Sequence, residues 1–250
     1  MITAMLTTSR SVNYYEATIR SLDSTGFFES GMGPLHVFFG GPRAGHMQSL
    51  EGDLRFAFHY LGDEFEKLWR NLGTKPRCAL GHYSLMKGLL ELEGWDEALV
   101  IEDDVAFARG WQKYLRVVLD EIRSAYDDRW MTSLYCLRPG VREKYNQRVR
   151  WYDTPGELFW GLQGVVYPKT VMAELVNWVF ENSVKASTDT IDGSIGKCGA
   201  AKGIHTVVIV PSLVQHMGHM TTGQSNYFHR ANLFLDPVID PALGEPWQKS

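Results

Sequence analysis

One stretch of this chain, Ala98-Leu99-Val100-Ile101 followed at once by Glu102-Asp103-Asp104, restricts its fold more than any other. Four consecutive apolar residues leave no polar face, so the run suits an interior strand covered on both sides, as in parallel sheets flanked by helices. In open α/β sheets ligands bind outside the carboxyl ends of the strands, which is where these three acidic residues stand. Packed carboxylates repel one another and are costly to desolvate unless a cation or hydrogen-bond donors compensate. Mg²⁺ or Mn²⁺ compensates with oxygen ligands, using one or two carboxylates and filling its other positions with water and phosphate oxygens, so a diphosphate is the expected companion. A solvated acidic turn that caps the following helix is the plainer explanation of the same residues.

The flanking segments alternate as a mostly parallel sheet requires. Ile2–Leu6 reads as a strand that ends in Thr7-Thr8-Ser9-Arg10, and Tyr14–Leu22 carries helical spacing. Leu35–Phe39 is a second strand, stopped by Gly40-Gly41-Pro42. Residues 43–78 have weak periodicity, with a helix expected around Asp63–Arg70. Helices are predicted over Ala79–Glu93, Trp111–Tyr126, Met172–Phe180 and Ile191–Lys202, and strands over Thr132–Leu137, Thr206–Val210 and the glycine-interrupted Leu158–Pro168. No internal repeat and no linker-like stretch divides the 250 residues, which read as one α/β domain.

Composition narrows the function classes. A hydrophobic fraction of 44% supports a core without staples, and Cys78, Cys136 and Cys198 are spaced for neither a disulfide framework nor a zinc site. The N-terminus lacks the basic start and apolar run of a secretory signal, and nothing approaches the ~20 apolar residues of a membrane span. A cytoplasmic location is the expectation. A formal net charge of -4 argues against nucleic-acid affinity over the whole surface, while leaving room for a local basic site.

Leu99-Val100-Ile101-Glu102-Asp103-Asp104-Val105 resembles the DxD-type motif of GT-A-fold glycosyltransferases in its EDD form. Thr7-Thr8-Ser9-Arg10 is similar to the nucleotide-facing start of such enzymes, and Gly161-Leu162-Gln163-Gly164 to their glycine loop near the donor sugar. Pro211-Ser212-Leu213-Val214-Gln215-His216-Met217-Gly218 resembles the PSLxQHxG segment of relatives that include N-glycan-branching N-acetylglucosaminyltransferases. The joint occurrence, in family order over about residues 1–220, is more specific than any single piece.

The resemblance implies a GT-A fold with a nucleotide-binding half (1–105), an acceptor and catalytic half (106–220) and a C-terminal extension (221–250). It implies a nucleoside-diphosphate sugar as donor, a UDP-sugar by expectation, with Mn²⁺ or Mg²⁺ as cofactor. Thr7, Thr8, Arg10, Glu102, Asp103, Gly161 and Gly164 would face the donor, while Asp104 and His216 would ligate the metal, with His219 a competing ligand. Asp192, eleven residues before Gly203, fits the inverting base at the start of the helix before the last core strand, and Asp189 is the close alternative. Helix capping is the alternative explanation of both aspartates. Arg10 is otherwise a turn residue on the surface, Gly161 and Gly164 otherwise suit a β-bulge, and His216 is otherwise a histidine hydrogen-bonded to backbone.

Between Arg138 and Tyr152 an acidic chain reverses sign: Arg138, Arg142, Lys144, Arg148 and Arg150 face Glu143 alone, with Tyr145, Trp151 and Tyr152 interleaved. Cations that track phosphates and rings that stack on bases form single-stranded or flipped-base sites, so Arg142, Arg148, Arg150 and Trp151 are candidate acceptor contacts. DNA bearing a hydroxymethylated pyrimidine is one acceptor class, as in viral enzymes, and a glycan is the other. A solvated loop accounts for the same charges. Two further function classes stand beside the transferase: a nucleotidyltransferase, whose glycine- and lysine/arginine-rich phosphate loop is missing after the first strand, and a non-catalytic sugar- or nucleic-acid-binding module on the same scaffold.

Overall fold

A computed structural model describes residues 1–7, 14–41, 50–138, 140–218 and 231–234; Thr8, Arg10 and His219 lie outside the described residues. The elements in chain order are β1 (Ile2–Thr7), α1 (Tyr15–Ser24), β2 (Leu35–Phe39), β3 (Phe56–His59), α2 (Asp63–Asn71), α3 (Thr74–Leu90), β4 (Glu97–Glu102), β5 (Val105–Phe107), α4 (Trp111–Tyr126), β6 (Trp130–Ser133), α5 (Gly140–Asn146), β7 (Trp151–Thr154), β8 (Gly164–Pro168), α6 (Lys169–Val179), α7 (Ile191–Lys202), β9 (His205–Ile209) and β10 (Val214–His216). A 3₁₀ turn at Gly156–Leu158 precedes β8, and a π-helical turn at Phe180–Lys185 continues α6.

The main sheet has the order β3-β2-β1-β4-β8-β6-β9-β7. β3, β2, β1 and β4 run parallel, β8 and the edge strand β7 run against their neighbours, and β6 and β9 resume the common direction. The apolar run preceding the acidic triplet is thus an interior strand, with β1 on one side and β8 on the other.

Alternation along the strands builds two separate cores. Met5, Val37, Leu99, Ile101 and Val166 point to the face covered by α1 and α4, where Leu22, Trp111, Leu115 and Ile122 meet them. Ala4, Leu6, Phe38, Val100 and Val165 point to the other face, against Leu80, Leu85 and Leu89 of α3, Met172 and Leu175 of α6, and Ile195 of α7. Each fully buried Leu, Ile or Val contributes roughly 1.5–3 kcal/mol. The result is a three-layer α/β/α sandwich whose central strand ends carry the polar residues.

Several boundaries differ from the sequence reading for physical reasons. α3 begins at Thr74 rather than Ala79, because Pro76 falls in its first turn, where a missing N–H costs nothing. It ends at Leu90 instead of Glu93, and the Trp95 indole donates to the Leu89 carbonyl (3.0 Å) beyond the helix end. The expected strand from Leu158 is extended only from Gly164, since Gly161 has φ +102° and breaks the pairing. The basic segment is a short helix followed by an edge strand, not a loop. Among the described residues no helix is long and apolar enough to cross a membrane.

Candidate active site

The acidic triplet closes the tight connection between β4 and β5, where two neighbouring elements fix it. Thr18 of α1 is fully buried beneath it; its hydroxyl donates to the Asp103 carbonyl (2.9 Å) and accepts from the Val105 N–H (3.0 Å). β10 then pairs antiparallel with β5, setting His216 opposite Val105, and the Met217 N–H donates to the Asp104 carbonyl (2.7 Å). A side chain 112 positions away is thereby delivered to the triplet, with His216 Nε2 3.0 Å from Asp104 Oδ2. Asp104 and His216 are both buried, at 1% and 5% exposure.

Ligand atoms of Glu102, Asp104 and His216 all lie within 4.8 Å of one another. Around an octahedral cation with bonds of ~2.1 Å, adjacent ligand atoms stand ~3.0 Å apart and opposite ones ~4.2 Å, so the three fit one ion with inward shifts of a few tenths of an ångström. Gly218 completes the cradle: a Cβ there would stand 2.3 Å from Asp104 Oδ2 and 3.1 Å from His216 Nε2. Two carboxylates and an imidazole suit Mn²⁺ or Mg²⁺ better than a soft metal. Asp103 is buried in the same turn but is not one of the three grouped ligands.

Glu102 has two further neighbours. Gln163 Nε2 donates to its Oε2 (3.2 Å), and the buried His82 of α3 places Nε2 3.8 Å from its Oε1. His82 reaches this far because α3 presses backbone to backbone on the end of β2: a Cβ on Gly81 would lie 3.1 Å from Gly40 Cα. Tyr135, just past β6, is fully buried, and its ring lies so close to Gly161 that a Cβ there would meet Tyr135 Cδ1 at 2.6 Å. Burial, and then the charges of Glu102, Cys136 and Asp104, push the Tyr135 hydroxyl well above the ordinary phenol range, so it stays protonated. His82 and Tyr135 carried no signal in the sequence, since neither belongs to a motif and both arrive through tertiary packing.

The structure separates the two aspartates proposed as base. Thr190 is the N-cap of α7, its hydroxyl accepting from the Gly193 N–H (3.3 Å), so capping does not occupy Asp192. Asp192 Oδ2 accepts from the Gly161 N–H (3.1 Å), tying the helix start to the glycine loop. Burial raises the Asp192 carboxyl above its usual range and the Glu102 charge adds to this, while the Gly161 N–H and His82 oppose it. Asp189, which precedes α7, stands in an ion pair with Lys197 of that helix. Helix α7 is held against the 3₁₀ turn by a glycine contact, a Cβ on Gly196 meeting the Gly156 carbonyl oxygen at 2.0 Å.

Thr7 ends β1 beside the triad: its preceding residue Leu6 is in register with Glu102, and the Thr7 carbonyl accepts from the Gly40 N–H (2.8 Å). Gly164 opens β8, and its neighbours leave room for a Cβ at ordinary contact, so its role is backbone pairing rather than close approach. Because β7 runs back from the carboxyl end of β9, the basic segment occupies the same edge of the sheet as the triad. It lies four strands away from β4, ~19 Å at ~4.8 Å per strand. Arg142 and Arg148 are exposed, Arg142 Nε donating to Asn232 Oδ1 (2.9 Å), while Arg150 and Trp151 both engage Glu121 of α4.

No protein-family model and no curated protein sequence matches the chain significantly. Solved structures do resemble it. The galactosyltransferase LgtC in complex with donor and acceptor sugar analogs aligns over 86% of this chain and 86% of that one, with a TM-score of 0.52 at 13% identity. An active-site mutant of LgtC aligns over 84% of this chain and 72% of that one, with a TM-score of 0.50 at 14% identity. Mouse xyloside xylosyltransferase 1 in its apo form covers 81% of each chain with a TM-score of 0.44 at 10% identity. At these identities the LgtC likeness concerns architecture: the chain has the α/β fold of GT-A glycosyltransferases, with a mostly parallel eight-stranded sheet flanked by helices.

Proposed function

We propose that this protein is a metal-dependent glycosyltransferase that moves a sugar from a nucleoside-diphosphate sugar to an acceptor hydroxyl with inversion. The observation that carries the reading is the convergence of Glu102, Asp104 and His216 at the carboxyl end of an interior strand, in a fold shared with a galactosyltransferase. Asp104 and His216 would hold Mn²⁺ or Mg²⁺, with Glu102 beside them toward the donor ribose or sugar. A bound divalent cation supplies charge that stabilises the departing diphosphate more than the ground state.

The residues of the chain supply the remainder. Asp192 takes the proton of the acceptor hydroxyl as that oxygen bonds to the anomeric carbon, and the electron pair of the breaking carbon–oxygen bond leaves with the diphosphate. A carboxyl lifted by burial is a stronger base than an exposed one, which suits this task. Gly161 orients Asp192 through its N–H and leaves the space a side chain would fill. Thr7, with Thr8 and Arg10, would line the nucleotide side.

The acceptor part of the proposal rests on the exposed Arg142 and Arg148 at the same edge, a placement that suits a phosphate-bearing acceptor such as DNA with a hydroxymethylated pyrimidine; a neutral glycan is the competing acceptor. The donor claim is tested by incubating a panel of nucleotide sugars with wild type and Asp104→Ala, with and without Mn²⁺. Release of one nucleoside diphosphate only with metal, and only by wild type, supports it; absence of both turnover and binding for every donor would promote the binding-module reading. Equal transfer to hydroxymethylated DNA by wild type and an Arg142→Ala/Arg148→Ala variant would remove the basic segment from the acceptor site.

A further inference from the structure

Two polar atoms beside the triad have no hydrogen-bond partner among the described residues: the Tyr135 hydroxyl and Gln163 Oε1, both shielded from water. Interior polar groups are nearly always paired, so two in one shell call for an explanation. They are complementary in kind. The Tyr135 phenol O–H offers a donor, and Gln163, whose Nε2 is committed to Glu102, offers an acceptor. Both border Gly161, where a Cβ would stand 2.6 Å from Tyr135 Cδ1 and 3.0 Å from Gln163 Oε1.

One donor and one acceptor, on side chains that both border Gly161, match a ligand that accepts at one oxygen and donates from another. Adjacent hydroxyl groups of a sugar have that pattern, whereas a phosphate has acceptors alone and would leave Gln163 Oε1 unmatched. A bare cation would leave the Tyr135 proton unmatched. We propose that Tyr135 and Gln163 form a specificity pair that reads two hydroxyls of the transferred sugar, Tyr135 donating to one and Gln163 Oε1 accepting from the other. This inference rests on the glycosyl-transfer reading and deepens it by assigning the reading of sugar hydroxyls to two further side chains.

A site built to hydrogen-bond a hydroxyl discriminates strongly against an analogue that misplaces it, because its own buried groups are then left unpaired. The test is calorimetric titration, with Mn²⁺ present, of UDP-, GDP- and dTDP-sugars and the matching diphosphates into wild type, Tyr135→Phe and Gln163→Ala. Tyr135→Phe should keep diphosphate affinity within roughly twofold, weaken the preferred nucleotide sugar by roughly 10- to 100-fold, and shrink the preference between hexose epimers. Its melting temperature should equal or exceed that of wild type, since the substitution deletes an unpaired atom. Gln163→Ala should weaken the nucleotide sugar beyond any change in diphosphate affinity.

If wild type binds the nucleotide sugar and neither variant alters the difference between sugar and diphosphate, the specificity pair is overturned while the functional reading survives. If wild type binds no nucleotide sugar and no diphosphate, the functional reading falls and takes the pair with it.

Discussion

Gly218→Ala places one methyl group where the triad has no room for it. An ideal Cβ at this position stands 2.3 Å from Asp104 Oδ2, 3.1 Å from Asp104 Cγ and 3.1 Å from His216 Nε2. The first distance is roughly 1 Å inside ordinary contact. Asp104 is 1% exposed and His216 5%, so neither side chain can swing into solvent to relieve it. The added atom must wedge the carboxylate away from the imidazole it meets at 3.0 Å. Overpacking of this kind costs about 1–3 kcal/mol of stability. Displacing the groups that aim a metal ligand lowers affinity by about 10–100-fold, or roughly 1.4–2.7 kcal/mol. Calorimetric titration of Mn²⁺, paired with thermal unfolding in EDTA, reads both effects. A Gly218→Ala protein that binds Mn²⁺ as tightly as wild type would refute the argument that Asp104 and His216 hold the ion from their present positions.

Three further outcomes follow from the packing around the site. Asp192 has a raised pKa in the folded protein, so its proton contributes stability that is full below the unfolded value of about 3.9 and is lost as pH rises through the folded value. In metal-free protein Asp192→Asn, which carries no such proton, should therefore gain stability relative to wild type as pH rises from about 4 to 7; melting temperatures whose difference does not change with pH would contradict this. Gly196→Ala drives a Cβ to 2.0 Å from the Gly156 carbonyl oxygen, and should cost about 1–3 kcal/mol, lowering the melting point by about 2–4 °C per kcal/mol. Thr18→Val keeps the shape but removes the hydroxyl that bonds both the Asp103 carbonyl and the Val105 N–H, a loss of about 1–3 kcal/mol in chemical denaturation that Thr18→Ser should largely avoid.

Local signals carried the parts of the structure that local physics decides. Helices α4 (Trp111–Tyr126) and α7 (Ile191–Lys202) have the predicted boundaries: apolar spacing and Gly110 mark the first, while Thr190 and Gly203 bracket the second. The interior placement of β4 was legible in its unbroken apolar run. β3 and β7 were not: each is a short, half-buried edge strand with no hairpin turn linking it to its partner, β2 for one and β9 for the other. At the site, Glu102, Asp104 and His216 could be named from motif chemistry, and the β5–β10 ladder is what brings the last of them to the others. His82 reaches Glu102 through a glycine contact between α3 and β2, and Tyr135 reaches the shell through packing against Gly161. Contacts of that kind depend on the assembled fold and leave no periodic or motif signature.

Anomalous scattering at the manganese edge, from crystals grown with Mn²⁺ and UDP, would locate the divalent cation that we propose Asp104 and His216 hold against a nucleoside diphosphate. One strong peak is expected within about 2.0–2.3 Å of a ligand atom of both Asp104 and His216, with diphosphate oxygens completing the shell. A peak elsewhere, or diphosphate bound at the carboxyl end of β4 with no ion between it and Asp104, would contradict it.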